Sequence, residues 1–106
     1  MKRERGMNKP EQGVPPAPSE PKKHSVRVTV HDPQGLHLRT GKNVVQVASQ
    51  FLAEITAQNL SRGSEKVDVK SILQLMRLQA RQGHVLYLQA AGPDAAAALE
   101  ALCALF

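Results

Sequence analysis

The chain has 106 residues, room for one small domain, with 14 Lys+Arg against 9 Asp+Glu and a formal charge of +5. Residues 1–23 hold six basic and three acidic residues, a net +3, which leaves only +2 on 24–106. With three aromatics (Phe51, Tyr87, Phe106) and no Trp, the platforms on which single strands stack are missing, so nucleic acid is not an expected partner. A single cysteine, Cys103, excludes an internal disulfide and a four-ligand cysteine zinc site. No apolar run reaches the roughly 18 to 20 residues that cross a bilayer, so the expectation is a cytoplasmic protein without membrane attachment.

Residues 1–23 hold five of the seven prolines, around Val14-Pro15-Pro16-Ala17-Pro18, and only four apolar side chains, too few to offset the entropy of ordering them. They are expected to be a disordered tail, with one folded domain over 24–106. Within that domain Ser25 to His31 alternates, placing Val26, Val28 and Val30 on one face of a first strand. Asp32-Pro33-Gln34-Gly35 then has the composition of a turn. Val44, Val47, Ala48 and Phe51 repeat at helical spacing, which predicts a helix from Asn43 to Leu52. Ile55–Asn59 and Glu65–Val69 follow as two strands joined by a hairpin over Leu60–Ser64. Ser71 stands where a helix cap belongs, before a short helix running to Leu78-Gln79 and ended by Arg81-Gln82-Gly83. A fourth strand, His84–Ala90, precedes Gly92-Pro93-Asp94, expected to cap a last helix from Ala95 to Leu105.

The order is β-α-β-β-α-β-α. Helices that are apolar on one side must bury that side, which predicts an α+β fold: a two-layer, open-faced sandwich with a four-stranded antiparallel sheet and three helices on one face. The order alone leaves function open.

Chemistry concentrates in Gly35-Leu36-His37-Leu38-Arg39-Thr40-Gly41-Lys42, where an imidazole, a guanidinium and a helix start come together. The first turn of a helix has unpartnered N–H groups and a partial positive charge, a natural seat for an anion. That dipole and Arg39 both favour a neutral, nucleophilic His37 ring, and the same groups would stabilise a phosphoryl group once a ring nitrogen carries it. His24, His31, His37 and His84 share no metal-ligand spacing, so neither metal nor cofactor is expected. Cys103, in the apolar run of the last helix, is expected to be a small buried hydrophobe.

The segment around His37 resembles the active-site sequence of the histidine-containing phosphocarrier protein (HPr) family of the bacterial phosphoenolpyruvate-dependent phosphotransferase system. There, Gly-Leu-His precedes a small residue, Arg, Pro and another small residue. Lys70 to Leu78 resembles the segment that opens that family's second helix with a regulatory serine, and the element order matches from Ser25 to Phe106. The resemblance implies that His37 takes a phosphoryl group from enzyme I as a pros-phosphohistidine and passes it to an enzyme IIA-type acceptor. Arg39 would balance its charge, while the backbone of Leu38, Thr40 and Gly41 cradles the anion. Ser71 would be the substrate of an HPr kinase/phosphorylase. Such a chain is a monomeric carrier and not an autonomous catalyst. Its Met76 and leucine stripe in the second helix would serve partner docking as well as packing.

The chain departs from the family pattern at several positions. Thr40 replaces the Pro expected at the first helical position, Leu38 is bulkier than usual, and the hairpin near Ser61–Ser64 is about three residues longer. At Gly41 a residue with a Cβ is expected to hold the helix start by up to about 1 kcal/mol more. An alternative therefore stands beside the carrier: a regulatory binding module of the same fold, acting through Ser71 or docking alone.

Overall fold

The computed structural model describes residues 23–106, so the tail expected over 1–23 lies outside the described residues apart from Lys23. That residue opens strand β1 (Lys23–Thr29), in which Val26 and Val28 lean toward the core and buried Val30 continues their line. Strand β2 is Glu54–Asn59, β3 is Val67–Asp68 and β4 is Val85–Ala91. All pairings are antiparallel and the sheet order is β1-β4-β2-β3. Ile55, Ala57, Leu86, Leu88 and Ala90 point to one side and are buried, as the period of two demands. Helices α1 (Leu38–Ala48), α2 (Ile72–Met76) and α3 (Ala95–Cys103) cover that side with Val44, Ala48, Leu75, Ala98, Leu99 and Leu102. This is the open-faced α+β sandwich, four strands and three helices.

Several boundaries differ from the sequence expectation. Helix α1 begins five residues before Asn43 and ends four before Leu52. Its first turn carries no apolar stripe, and after Ala48 the amides of Gln50 and Phe51 turn back onto Val47 O and Ala48 O. Of the expected Glu65–Val69 strand only Val67–Asp68 is strand, with Val69 N adding one bond to Ile55 O at 3.0 Å. Ser64 takes the place of the missing ladder: its amide donates to Asn59 O at 3.0 Å, and its Oγ accepts from Asn59 N at 2.8 Å.

Helix α2 stops at Met76 instead of Gln79, because the amides of Arg77, Leu78 and Gln79 bond three residues back and Gln79 adopts φ +47°. A similar tightening, Leu105 N to Leu102 O, ends α3 two residues early. Asp94 precedes α3, but its carboxylate does not cap that helix. It accepts from Leu52 N at 2.8 Å and Ala53 N at 2.9 Å and so clasps the α1–β2 loop. Lys70 Nζ strengthens the same corner by donating to Phe51 O at 2.7 Å.

Candidate functional site

Asp32 begins a turn closed by Gly35 N donating to Asp32 O at 2.8 Å, and Asp32 Oδ1 also accepts from Gln34 N. Gly35 sits at φ +71°, and a Cβ there would run into the carbonyl oxygen of Ala80, so glycine is required on two counts. The chain next donates Leu36 N to Ala80 O at 2.9 Å, which pins the turn to the loop between α2 and β4. His37 follows in extended conformation (φ −120°, ψ 179°) as the N-cap of α1.

Two bonds of 3.0 Å lace this helix start: Thr40 Oγ1 accepts from His37 N and donates to His37 O. Thr40 is the third helical residue, not the first, and its hydroxyl fastens by hydrogen bonding what a proline ring would fix through φ. Leu38, Arg39 and Thr40 form the first turn, whose N–H groups have no carbonyl within the helix to bond. Gly41, expected among the cradle donors, instead gives its N–H to His37 O at 2.7 Å, the first bond of the helix ladder.

The expectation that a Cβ at Gly41 would strengthen the helix start meets a packing cost that it did not include, the displacement of two flexible side-chain ends. Gly41 is buried against α2, and a Cβ there would come within 2.5 Å of Met76 Cε and 2.9 Å of Ile72 Cδ1. Close helix approach at this point, directly behind the His37 turn, is what the residue supplies.

The imidazole is about one-third exposed, and its Nε2 lies 3.7 Å from Asp32 Oδ2. Asp32, read in the sequence only as a turn residue, is thus part of the site. The signal available was its position at the head of an Asp-Pro-Gln-Gly turn ending two residues before the histidine. At 3.7 Å the contact is electrostatic and not a hydrogen bond; a negative charge on that side favours the tautomer with its proton on Nε2, which leaves the Nδ1 lone pair for a nucleophilic role. Arg39 and Lys42 are exposed on the same helix start.

Ser71 lies apart from this turn as the N-cap of α2, half-buried, its Oγ accepting from Gln74 N at 3.3 Å. Cys103 is partly exposed instead of buried, and desolvation raises its thiol above the ordinary value. Among the described residues no cluster of His, Cys, Asp and Glu could hold a metal ion, and no helix is long and apolar enough to cross a membrane.

Residues 24–106 match the model of the family described as "PTS HPr component phosphorylation site". The chain is 42% identical over 74 residues to the multiphosphoryl transfer protein of Haemophilus influenzae, 70% of this chain but 15% of that much longer one. It is 39% identical over 79 residues to the phosphocarrier protein NPr of Shewanella violacea, 74% of this chain and 84% of that protein. Among solved structures, the phosphocarrier protein HPr of Bacillus anthracis aligns with a TM-score of 0.72 at 34% identity, covering 78% of this chain and 95% of that one.

Proposed function

Since the chain belongs to the HPr family of the phosphotransferase system, we propose that it accepts a phosphoryl group from enzyme I on Nδ1 of His37 and delivers it to an enzyme IIA-type acceptor. The observation that carries this is the place of His37: it caps α1 at the donor end of the helix, with Nε2 turned to Asp32. In the transfer the Nδ1 lone pair forms a bond to phosphorus as the bond from phosphorus to the donor's leaving group breaks, and the leaving group keeps that electron pair. The Nε2 proton stays in place, facing Asp32. The first-turn amides of Leu38, Arg39 and Thr40 and the Arg39 guanidinium stabilise the phosphoryl oxygens, and delivery to the acceptor reverses the same steps.

Leu38 and Leu73 supply the apolar part of a docking face, being 56% and 80% exposed on the two helices that meet at Gly41. Ser71 fits a regulatory role: a phosphate from an HPr kinase would add about −1.5 to −2 charges next to Leu73 and repel an acidic partner.

Incubation with phosphoenolpyruvate and the enzyme I of the same cell tests the reading. An acid-labile phosphate is expected on the wild-type chain and none on His37→Ala. Retention of the label in His37→Ala, or its absence from the wild type, overturns it.

A further inference from the structure

The carbonyl that lies under Gly35 and accepts from Leu36 N belongs to the peptide unit between Ala80 and Arg81, and that unit is also held at its other end. Its N–H, from Arg81, donates to Nδ1 of His84 at 3.1 Å. A peptide group is planar and trans, so its N–H and C=O point in opposite directions and anchoring the first aims the second. The preceding residue, Gln79, sits at φ +47°, a conformation that residues with side chains rarely adopt unless surrounding bonds impose it. Support of the His37 turn therefore runs through one acceptor atom of His84.

That atom must present a lone pair. Nδ1 of His84 also meets Nδ2 of the fully buried Asn59 at 3.1 Å. The main chain sets which way the Asn59 amide faces: Oδ1 accepts from the amides of Ser61 and Arg62, and Nδ2 donates to Leu78 O at 2.9 Å. Two N–H donors thus converge on Nδ1, which defines His84 as a neutral imidazole with its proton on Nε2. An imidazolium would set a third N–H against them, and Arg81 N and Asn59 Nδ2 would each lose an acceptor. The titratable and charged residues on the segments packed against His84 are Arg81 in its own loop, Arg62 in the hairpin and His31 after β1, where Val30 N donates to His84 O at 2.9 Å. Asp32, beyond His31, faces His37, and among the described residues no carboxylate lies within 4.0 Å of His84 to compensate an imidazolium charge.

We propose that His84 is a positioning residue for the transfer at His37: its neutral form aims the Ala80 carbonyl at Leu36, and protonation at Nδ1 releases that peptide unit and loosens the turn. The proposal rests on the carrier reading above and adds to it a proton-sensitive support. His84 acts through Ala80 and Leu36 and takes no part in the P–N bond chemistry.

Three measurements on the full chain test this role. Nitrogen NMR of the His84 ring near pH 8 should find Nε2 protonated and Nδ1 bare; a proton on Nδ1 overturns the proposal. From about pH 8 to about pH 5, a span that brackets imidazole titration, hydrogen-exchange protection of the Arg81 and Leu36 amides should fall in the wild type while the β2–β4 ladder is unchanged. The expected loss is about tenfold, the order of one neutral hydrogen bond. His84→Gln, whose side-chain oxygen accepts without titrating, should hold that protection across the span. It should also recover most of the rate of phosphorylation by enzyme I that His84→Ala loses at the upper end. At the acid end the wild type should be phosphorylated about threefold more slowly than His84→Gln, a ratio in which the titrations of His37 and of enzyme I cancel. A ratio independent of pH, or level protection of Leu36 in the wild type, overturns the proposal and leaves the carrier reading standing. No label on the wild type at any pH overturns both.

Discussion

The carboxylate of Asp94 receives the amides of Leu52 and Ala53, and these bonds, Leu52 first, hold its pKa below the ordinary aspartate value of 3.8 against the opposing effect of desolvation, with Lys70 assisting. A carboxyl group whose folded value lies below its unfolded one binds fewer protons when folded, so its stabilisation is present above the unfolded value and is lost as pH falls through the folded one. Asp94→Asn, which offers one acceptor oxygen in place of two, should lower the urea midpoint near pH 7. The gap to the wild type should close progressively below about pH 4; a gap independent of pH would show that the charge of Asp94 contributes nothing. This partnership was not legible in the sequence, where Asp94 stands directly before an alanine-rich helix and Leu52 lies 42 positions away. Asp32 escaped for the opposite reason: its local turn role was so well supported that its second oxygen, facing His37, had no separate signal.

Helices are placed by sequence through their apolar stripe, and the stripe of α1 starts only at Val44, which is why its first turn, the one proposed to hold the phosphoryl group, lay outside the predicted span. The His37 site was nevertheless legible, because a Gly-Leu-His-x-Arg segment between a strand and a helix carries its chemistry in residue types and not in periodicity. Gly41 belongs to neither kind of signal. Propensity alone credits Gly41→Ala with about 1 kcal/mol of added helix stability, but the new methyl must displace Met76 Cε and Ile72 Cδ1. Both atoms are the far ends of flexible, partly buried side chains, so the cost falls at the low end of the ~1–3 kcal/mol typical of overpacking, and the net expectation is a thermal midpoint close to or slightly below that of the wild type. Pairing Gly41→Ala with Met76→Leu, which removes the Cε atom, should recover part of the loss. A clear rise in midpoint for Gly41→Ala alone would mean that Met76 and Ile72 give way at no cost.

At the scale of the whole molecule, the two-layer sandwich followed from periodicity: alternation marked the strands, and helices with one apolar side could be buried only against a sheet. What periodicity could not supply is how the loops at the His37 end are locked together, and that depends on one buried polar residue. Asn59 Oδ1 accepts from Ser61 N at 3.1 Å and Arg62 N at 3.3 Å, while Nδ2 donates to Leu78 O at 2.9 Å and meets His84 Nδ1. It thereby joins the long hairpin, the end of α2 and the entry to β4, and through His84 reaches the Arg81 loop under the His37 turn. As the last residue of β2 it follows the inward alternation of Ile55 and Ala57, a position where the sequence pattern predicts an apolar side chain. Removing it strands several buried donors and acceptors, so Asn59→Ala should cost about 2–3 kcal/mol in chemical denaturation. Asn59→Asp makes the sharper test because it keeps the size and the Oδ1 acceptor but presents an oxygen to Leu78 O and His84 Nδ1. If the Nδ2 bonds hold the loops, Asn59→Asp should lose at least as much stability as Asn59→Ala at pH 7, and phosphorylation by enzyme I should slow in parallel as the loop under the His37 turn loosens. Full stability with aspartate at 59 would show instead that packing alone seats these loops.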